Sequence, residues 1–179
     1  MSQIHPVQIL LDEHRAIETV LDRLEATLAT LDQIPFPASW LTRAMSFFRY
    51  FVEGAHHTKE EERFFPALQQ AGLIEQVTHH LAGVAWLDEA ERRLGAAASG
   101  DREAIDSLRQ AGLAYVSFLR EHIAREDEVL HRAATQPATA LELVRLHERA
   151  LPRPLQQLDE EIYEKYLCLA KELTATRAA

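Results

Sequence analysis

Apolar residues recur at intervals of three and four along almost the whole chain, the spacing of one buried helix face. Val7, Leu10, Leu11, Ile17, Leu21, Leu24, Leu28 and Leu31 mark the first stripe, which Pro-Phe-Pro at 35–37 stops. Ser39 is the expected N-cap of a second helix over 40–68, with Pro66 kinking or ending it. A third helix is predicted over 74–94, then a loop of small residues at 95–100. Asp101 caps the start of a fourth helix that runs to about 134. A short helix over 138–150 follows, broken by Pro152 and Pro154. A last helix carries Leu155, Leu158, Ile162, Tyr166, Leu169 and Leu173 on one side. No stretch alternates with period two, so no sheet is predicted. The expected architecture is all-α: an up-down antiparallel four-helix bundle over 1–136, with C-terminal helices over 137–179 appended to the same domain. The stripe of the last helix would be covered by the bundle or by a second copy in a homodimer.

Composition narrows the classes. The chain has 179 residues, 47% of them apolar and 26% charged, which suits one globular domain and excludes disorder. No apolar run approaches the roughly 18 residues needed to span a bilayer. Met-Ser-Gln-Ile-His-Pro offers neither a basic flank nor an apolar core, so no secretory signal is expected. A single cysteine, Cys168, excludes a disulfide framework and points to a reducing cytoplasm. A net charge of −9 argues against nucleic-acid binding, which needs clustered Lys and Arg.

The nine histidines carry the chemical signal. Four have a Glu four residues later: His14–Glu18, His56–Glu60, His57–Glu61 and His122–Glu126. At 100° per residue, His57 and Glu61 fall on the apolar face of the second helix with Phe47, Tyr50, Phe64 and Leu68. His56 and Glu60 fall toward water. His122 and Glu126 share the apolar face of the fourth helix with Leu108, Tyr115, Leu119 and Leu130, while His131 lies opposite. His14, with Glu18 beside it, and His80 lie on the stripes of the first and third helices. Each bundle helix thus turns one histidine inward, and two or three also turn a carboxylate inward. A single core histidine is ordinarily a packing residue. Several histidines and carboxylates in one core are costly unless a shared cation offsets their desolvation. Imidazole with carboxylate suits iron, manganese, zinc or copper, and a bridging carboxylate suits a pair of iron or manganese ions. The ferritin-like alternative, Glu53-x-x-His56 with Glu128-x-x-His131, is disfavoured because both of its histidines fall on polar faces.

Leu-Asp-Glu-His-Arg-Ala-Ile-Glu (11–18), the His-His-Thr-Lys-Glu-Glu-Glu-Arg-Phe-Phe-Pro run (56–66), His-Leu-Ala-Gly (80–83) and Leu-Arg-Glu-His-Ile-Ala-Arg-Glu-Asp-Glu-Val-Leu (119–130) occur one per helix. In this order they resemble the hemerythrin-like, or HHE cation-binding, family over about residues 5–135. The resemblance implies an oxo- or hydroxo-bridged di-iron centre, with manganese or zinc as substitutes. The ligands it implies are His14, His57, Glu61, His80, His122 and Glu126, with Glu18 and Asp127 as further candidates. Oxygen-carrying members have a His-x-x-x-His pair on the third helix. Here Gln76 and Val84 flank His80 at that spacing. A less saturated centre shifts the expectation from oxygen carriage toward chemistry on a small oxidant such as dioxygen, peroxide or nitric oxide. A non-enzymatic sensor of oxygen or nitric oxide, an iron store or donor, and a metal-free structural bundle are the alternatives.

Overall fold

The computed structural model of the chain describes residues 6–33, 35–74, 81–135 and 153–175. Their regular structure is helical throughout, as expected, and no strand occurs among the described residues. We number the helices α1 (Pro6–Leu28), α2 (38–70), α3 (Leu81–Ala98), α4 (Arg102–Ala134) and α5 (Arg153–Ala175). The expected helix over 138–150 lies outside the described residues. So do His5, His79, His80 and His147.

The boundaries correct the sequence reading in three places. First, α2 begins at Ala38 with Pro37 in the capping position and no side-chain cap, so Ser39 lies inside the first turn. Second, α2 passes through Pro66 to Gln70. The segment Glu60–Phe64 just before the proline is π-helical, a wider turn that accommodates the ring. Third, α3 runs on through Gly95 to Ala98, because one glycine costs a helix only about 1 kcal/mol and three alanines follow it. The turn is confined to 99–101, where Gly100 takes a φ of +89°. Asp101 caps α4 as expected, accepting the Ala104 N–H at 3.1 Å.

Cross-helix pairs order the neighbours. Asp22 and Glu25 of α1 pair with Arg120 of α4 at 2.7 and 2.8 Å, and the Leu28 carbonyl accepts from Arg109 at 3.2 Å. Numbers rise on one helix as they fall on the other, so α1 and α4 are antiparallel. Gly112 permits their close approach, since a Cβ there would lie 2.6 Å from Leu28 Cδ1. Helices α2 and α3 are joined by Arg49, which pairs with Asp88 and with Glu91 at 2.8 Å. Helix α5 buries Tyr166, Ala170 and Leu173 in the same core as α1 and α2, and Trp40 Nε1 donates to the Leu173 carbonyl at 3.0 Å. The described part of its stripe, Ile162, Tyr166, Leu169 and Leu173, packs on that core. No described helix is long and apolar enough to cross a membrane.

The apolar interior falls into two clusters. The larger includes Ile17, Phe48, Phe51, Val52, Leu119 and Ile123. The smaller includes Val7, Leu10, Leu11, Phe64, Leu68, Leu130 and Ala133. Each fully buried Val, Leu, Ile or Phe among them contributes about 1.5–3 kcal/mol. Along α1, α2 and α4 alike, the two clusters are separated by the stretch that holds the inward histidines. A polar layer with dry walls on both sides is the setting for the site.

Candidate metal centre

Helix α2 supplies the most groups because it does not keep the α-helical register. Between Phe47 and His56 it is π-helical, and the His57 N–H bonds the Val52 carbonyl five residues back. A second π-helical segment ends with the Phe65 N–H on the Glu60 carbonyl. Each wide turn takes in an extra residue and slows the rotation of side chains about the axis. As a result, His56 and His57 are both buried, at 1% and 3% exposure, and Glu60 is fully buried. The 100° wheel put His56 and Glu60 in water and Glu61 inside. The structure reverses this: Glu61 is exposed, and so is Tyr50. On α1 the same kind of correction applies, since Glu18 is exposed and Glu13 is the buried carboxylate beside His14. Helix α4 follows the wheel, with His122 and Glu126 buried and His131 exposed.

The inward atoms converge. His14 Nε2 and His56 Nε2 each lie 3.4 Å from Glu60 Oε1. Glu126 reaches His122 Nε2 at 3.0 Å with one oxygen and His14 Nε2 at 3.7 Å with the other. Two sets of three donor atoms lie within 4.8 Å of one another: His14, His56 and Glu60, and His57, Glu60 and His122. Glu60 belongs to both.

Three of the four rings are held from behind by carboxylates. His14 Nδ1 meets Asp127 Oδ1 at 2.6 Å, His56 Nδ1 meets Glu13 Oε2 at 2.7 Å, and His57 Nδ1 meets Glu53 Oε2 at 3.0 Å. An ionised carboxylate only accepts, so each facing Nδ1 carries the proton. In a neutral ring the Nε2 lone pair then points inward, as in carboxylate–histidine–metal arrangements. The donor set of imidazole nitrogens and carboxylates therefore fits a metal cation.

Without a cation the site is electrostatically uneven. Burial is the largest influence on His14 and lowers its pKa, but the hydrogen bonds to Asp127 and Glu60 and the charges of Glu60 and Glu126 outweigh it. His14 is pushed up to about 10. Burial, then the charges of His14 and His57, hold His56 well below the ordinary imidazole range. Tyr115, fully enclosed, donates to Glu53 Oε1 at 3.0 Å, and burial with the Glu53 charge raises its pKa.

A cavity of about 90 Å³ adjoins the layer, lined by Glu60, Glu126 and Arg125 and by the apolar Phe65, Leu68, Ile74, Val129 and Leu130. Pockets for ordinary metabolites are about 300–1,000 Å³, so this one suits a few atoms only.

Of the six residues picked from the sequence, the structure brings together His14, His57, His122 and Glu126. Glu61 stays outside, and His80 lies outside the described residues. Sequence reasoning missed His56, Glu60, Glu13 and Glu53. The doubled His-x-x-x-Glu at 56–60 and 57–61 was a signal, but only the π-helical register decides between the two copies. Buried His56 removes the ground on which the ferritin-like arrangement was disfavoured on α2. That arrangement is still broken on α4, where Glu128 and His131 are exposed.

Uncharacterised proteins of Mycobacterium bovis and Mycobacterium tuberculosis are 33% identical over 145 residues, covering 74% of this chain and 54% of theirs. The chain spans about half the length of the curated relatives it matches. No solved structure matches it. The hemerythrin HHE cation-binding domain matches residues 5–134, across the layer of histidines and carboxylates just described, and the chain belongs to that family.

Proposed function

We propose that the chain holds a dinuclear iron centre and uses it to bind or reduce a small oxidant such as dioxygen, peroxide or nitric oxide. One observation carries this reading: Glu60 belongs to both candidate donor sets, which supports two cations sharing one carboxylate. The ligands are His14, His56, His57, Glu60, His122 and Glu126, and the sequence adds His80 as a further candidate. Iron held by these residues would supply Lewis acidity and electrons. Asp127, Glu13 and Glu53 orient three of the imidazoles. Phe65, Leu68, Val129 and Leu130 give the chamber an apolar side, and its volume suits a diatomic or a peroxide. Manganese or zinc suits the same donors. The exposed thiol of Cys168 accords with a reducing cytoplasm.

Metal analysis with a visible spectrum of aerobically purified protein tests this directly. Two irons per chain with near-ultraviolet oxo-bridge bands are expected. No metal, and no uptake of ferrous iron under anaerobic conditions, overturns it. Turnover of peroxide or nitric oxide by the iron-loaded protein then identifies an enzyme. Tight binding without turnover identifies a sensor or an iron store.

A further inference from the structure

Two side chains outside the donor set stand behind the carboxylates that hold His56 and His57. Glu13, fully buried, takes the Lys59 ammonium on Oε1 and His56 Nδ1 on Oε2. Lys59 is itself positioned 5.8 Å from the centre of the Tyr163 ring, within cation–π reach. Glu53 takes the Tyr115 hydroxyl on Oε1 and His57 Nδ1 on Oε2. The two adjacent histidines thus have parallel supports of different chemistry, an ammonium on one side and a phenol on the other.

We propose that Lys59 and Tyr115 are positioning residues that fix which ring nitrogen of His56 and His57 carries the proton, each acting through one carboxylate. Lysine has donors and no acceptor, so the Glu13 oxygen it meets can only accept. A carboxylate held in that state accepts with its second oxygen as well, and His56 Nδ1 is the donor. The Tyr115 hydroxyl does the same through Glu53 for His57. Both Nε2 atoms are then left as lone-pair donors beside Glu60. Remove either support and the carboxylate can turn or exchange its partners, and the proton can move to Nε2 and close that donor.

The proposal concerns the protein's own tautomers, and its consequence for metal uptake rests on the proposed centre. Nitrogen-15 spectra of the imidazoles in the metal-free chain, at a pH where both rings are neutral, test it in Lys59→Met, Lys59→Arg and Tyr115→Phe. The wild type is expected to show His56 and His57 each as the Nδ1–H form. Lys59→Met is expected to mix the tautomers of His56 alone, Lys59→Arg to preserve them, and Tyr115→Phe to mix those of His57 alone. Cobalt(II) titration should show affinity falling about 10–100-fold in Lys59→Met and Tyr115→Phe at unchanged helicity. Unmixed tautomers in both variants overturn the proposal. Should Lys59→Met fail to fold, Tyr115→Phe decides it, since only one hydroxyl is removed. A wild type that takes up no cobalt sinks the metal reading, and the nitrogen spectra still decide this one.

Discussion

His14 Nδ1 lies 2.6 Å from Asp127 Oδ1, tying α1 to α4 across 113 positions of sequence. His14 is fully buried while the Asp127 side chain is 30% exposed, so the charge partner sits at the edge of the layer and reaches inward. This contact helps raise His14 to about 10, above its ordinary value of 6.5. A raised folded-state pKa stabilises the metal-free protein fully below about pH 6.5, and that contribution is lost as pH rises through about 10. Asp127→Ala is expected to cost about 1–3 kcal/mol at pH 6.5 and less at pH 10. Chemical denaturation of the metal-free protein at both values checks it. An equal loss at the two would show that the ion pair does not stabilise the fold.

If the proposed metal binds through His14, uptake displaces the second proton of that ring, because a ligating imidazole has to offer a lone pair. At pH 7.5 about one proton per chain is expected to leave His14 on binding. Calorimetry in buffers of different ionisation enthalpy measures the release. A heat that does not change with buffer would mean His14 is not a ligand.

Glu60 and Glu61 are adjacent and chemically alike, yet one is buried among four histidines and the other faces water. Glu60→Ala is expected to abolish binding of at least one of the two metal ions. Glu61→Ala should keep wild-type stoichiometry, with stability within about 0.5 kcal/mol of wild type. Loss of metal in Glu61→Ala with retention in Glu60→Ala would restore the register of a regular α-helix.

Val129 lines the small chamber without belonging to the donor set. Val129→Phe is expected to leave metal content unchanged and to slow or weaken azide and nitric oxide binding at least tenfold. Unaltered ligand binding in the metal-loaded variant would place the route to the centre elsewhere.

Gly112 and Gly95 make a matched pair. A Cβ at Gly112 would sit 2.6 Å from Leu28 Cδ1, whereas one at Gly95 meets nothing within 4 Å. Gly112→Ala is expected to cost about 1–3 kcal/mol by overpacking, and Gly95→Ala to add about 0.5–1 kcal/mol. At about 2–4 °C per kcal/mol for a chain of this size, thermal melts should separate the two clearly.

The helices were legible because burial of one face leaves a repeating mark in the sequence. Leu10, Ile17, Leu21, Leu108 and Leu119 sit in the core as their spacing required, and Asp101 caps α4 as its position before an apolar run required. The inward turn of His14, His57 and His122 was legible for the same reason, and so was the acidic, histidine-rich character of the interior. What spacing could not reveal was the angular register of α2 beyond Phe47. Each i→i+5 hydrogen bond shifts every later side chain around the axis, and the hydrophobic spacing leaves no mark of where such a bond forms. That register alone brings His56 in beside His57 and exchanges Glu61 for Glu60. The supports behind the rings were hidden for a related reason. Glu13 and Glu53 look like ordinary acids in the sequence, and Asp127 stands there only as a candidate ligand; tertiary packing is what sets all three against a histidine of another helix or a neighbouring turn.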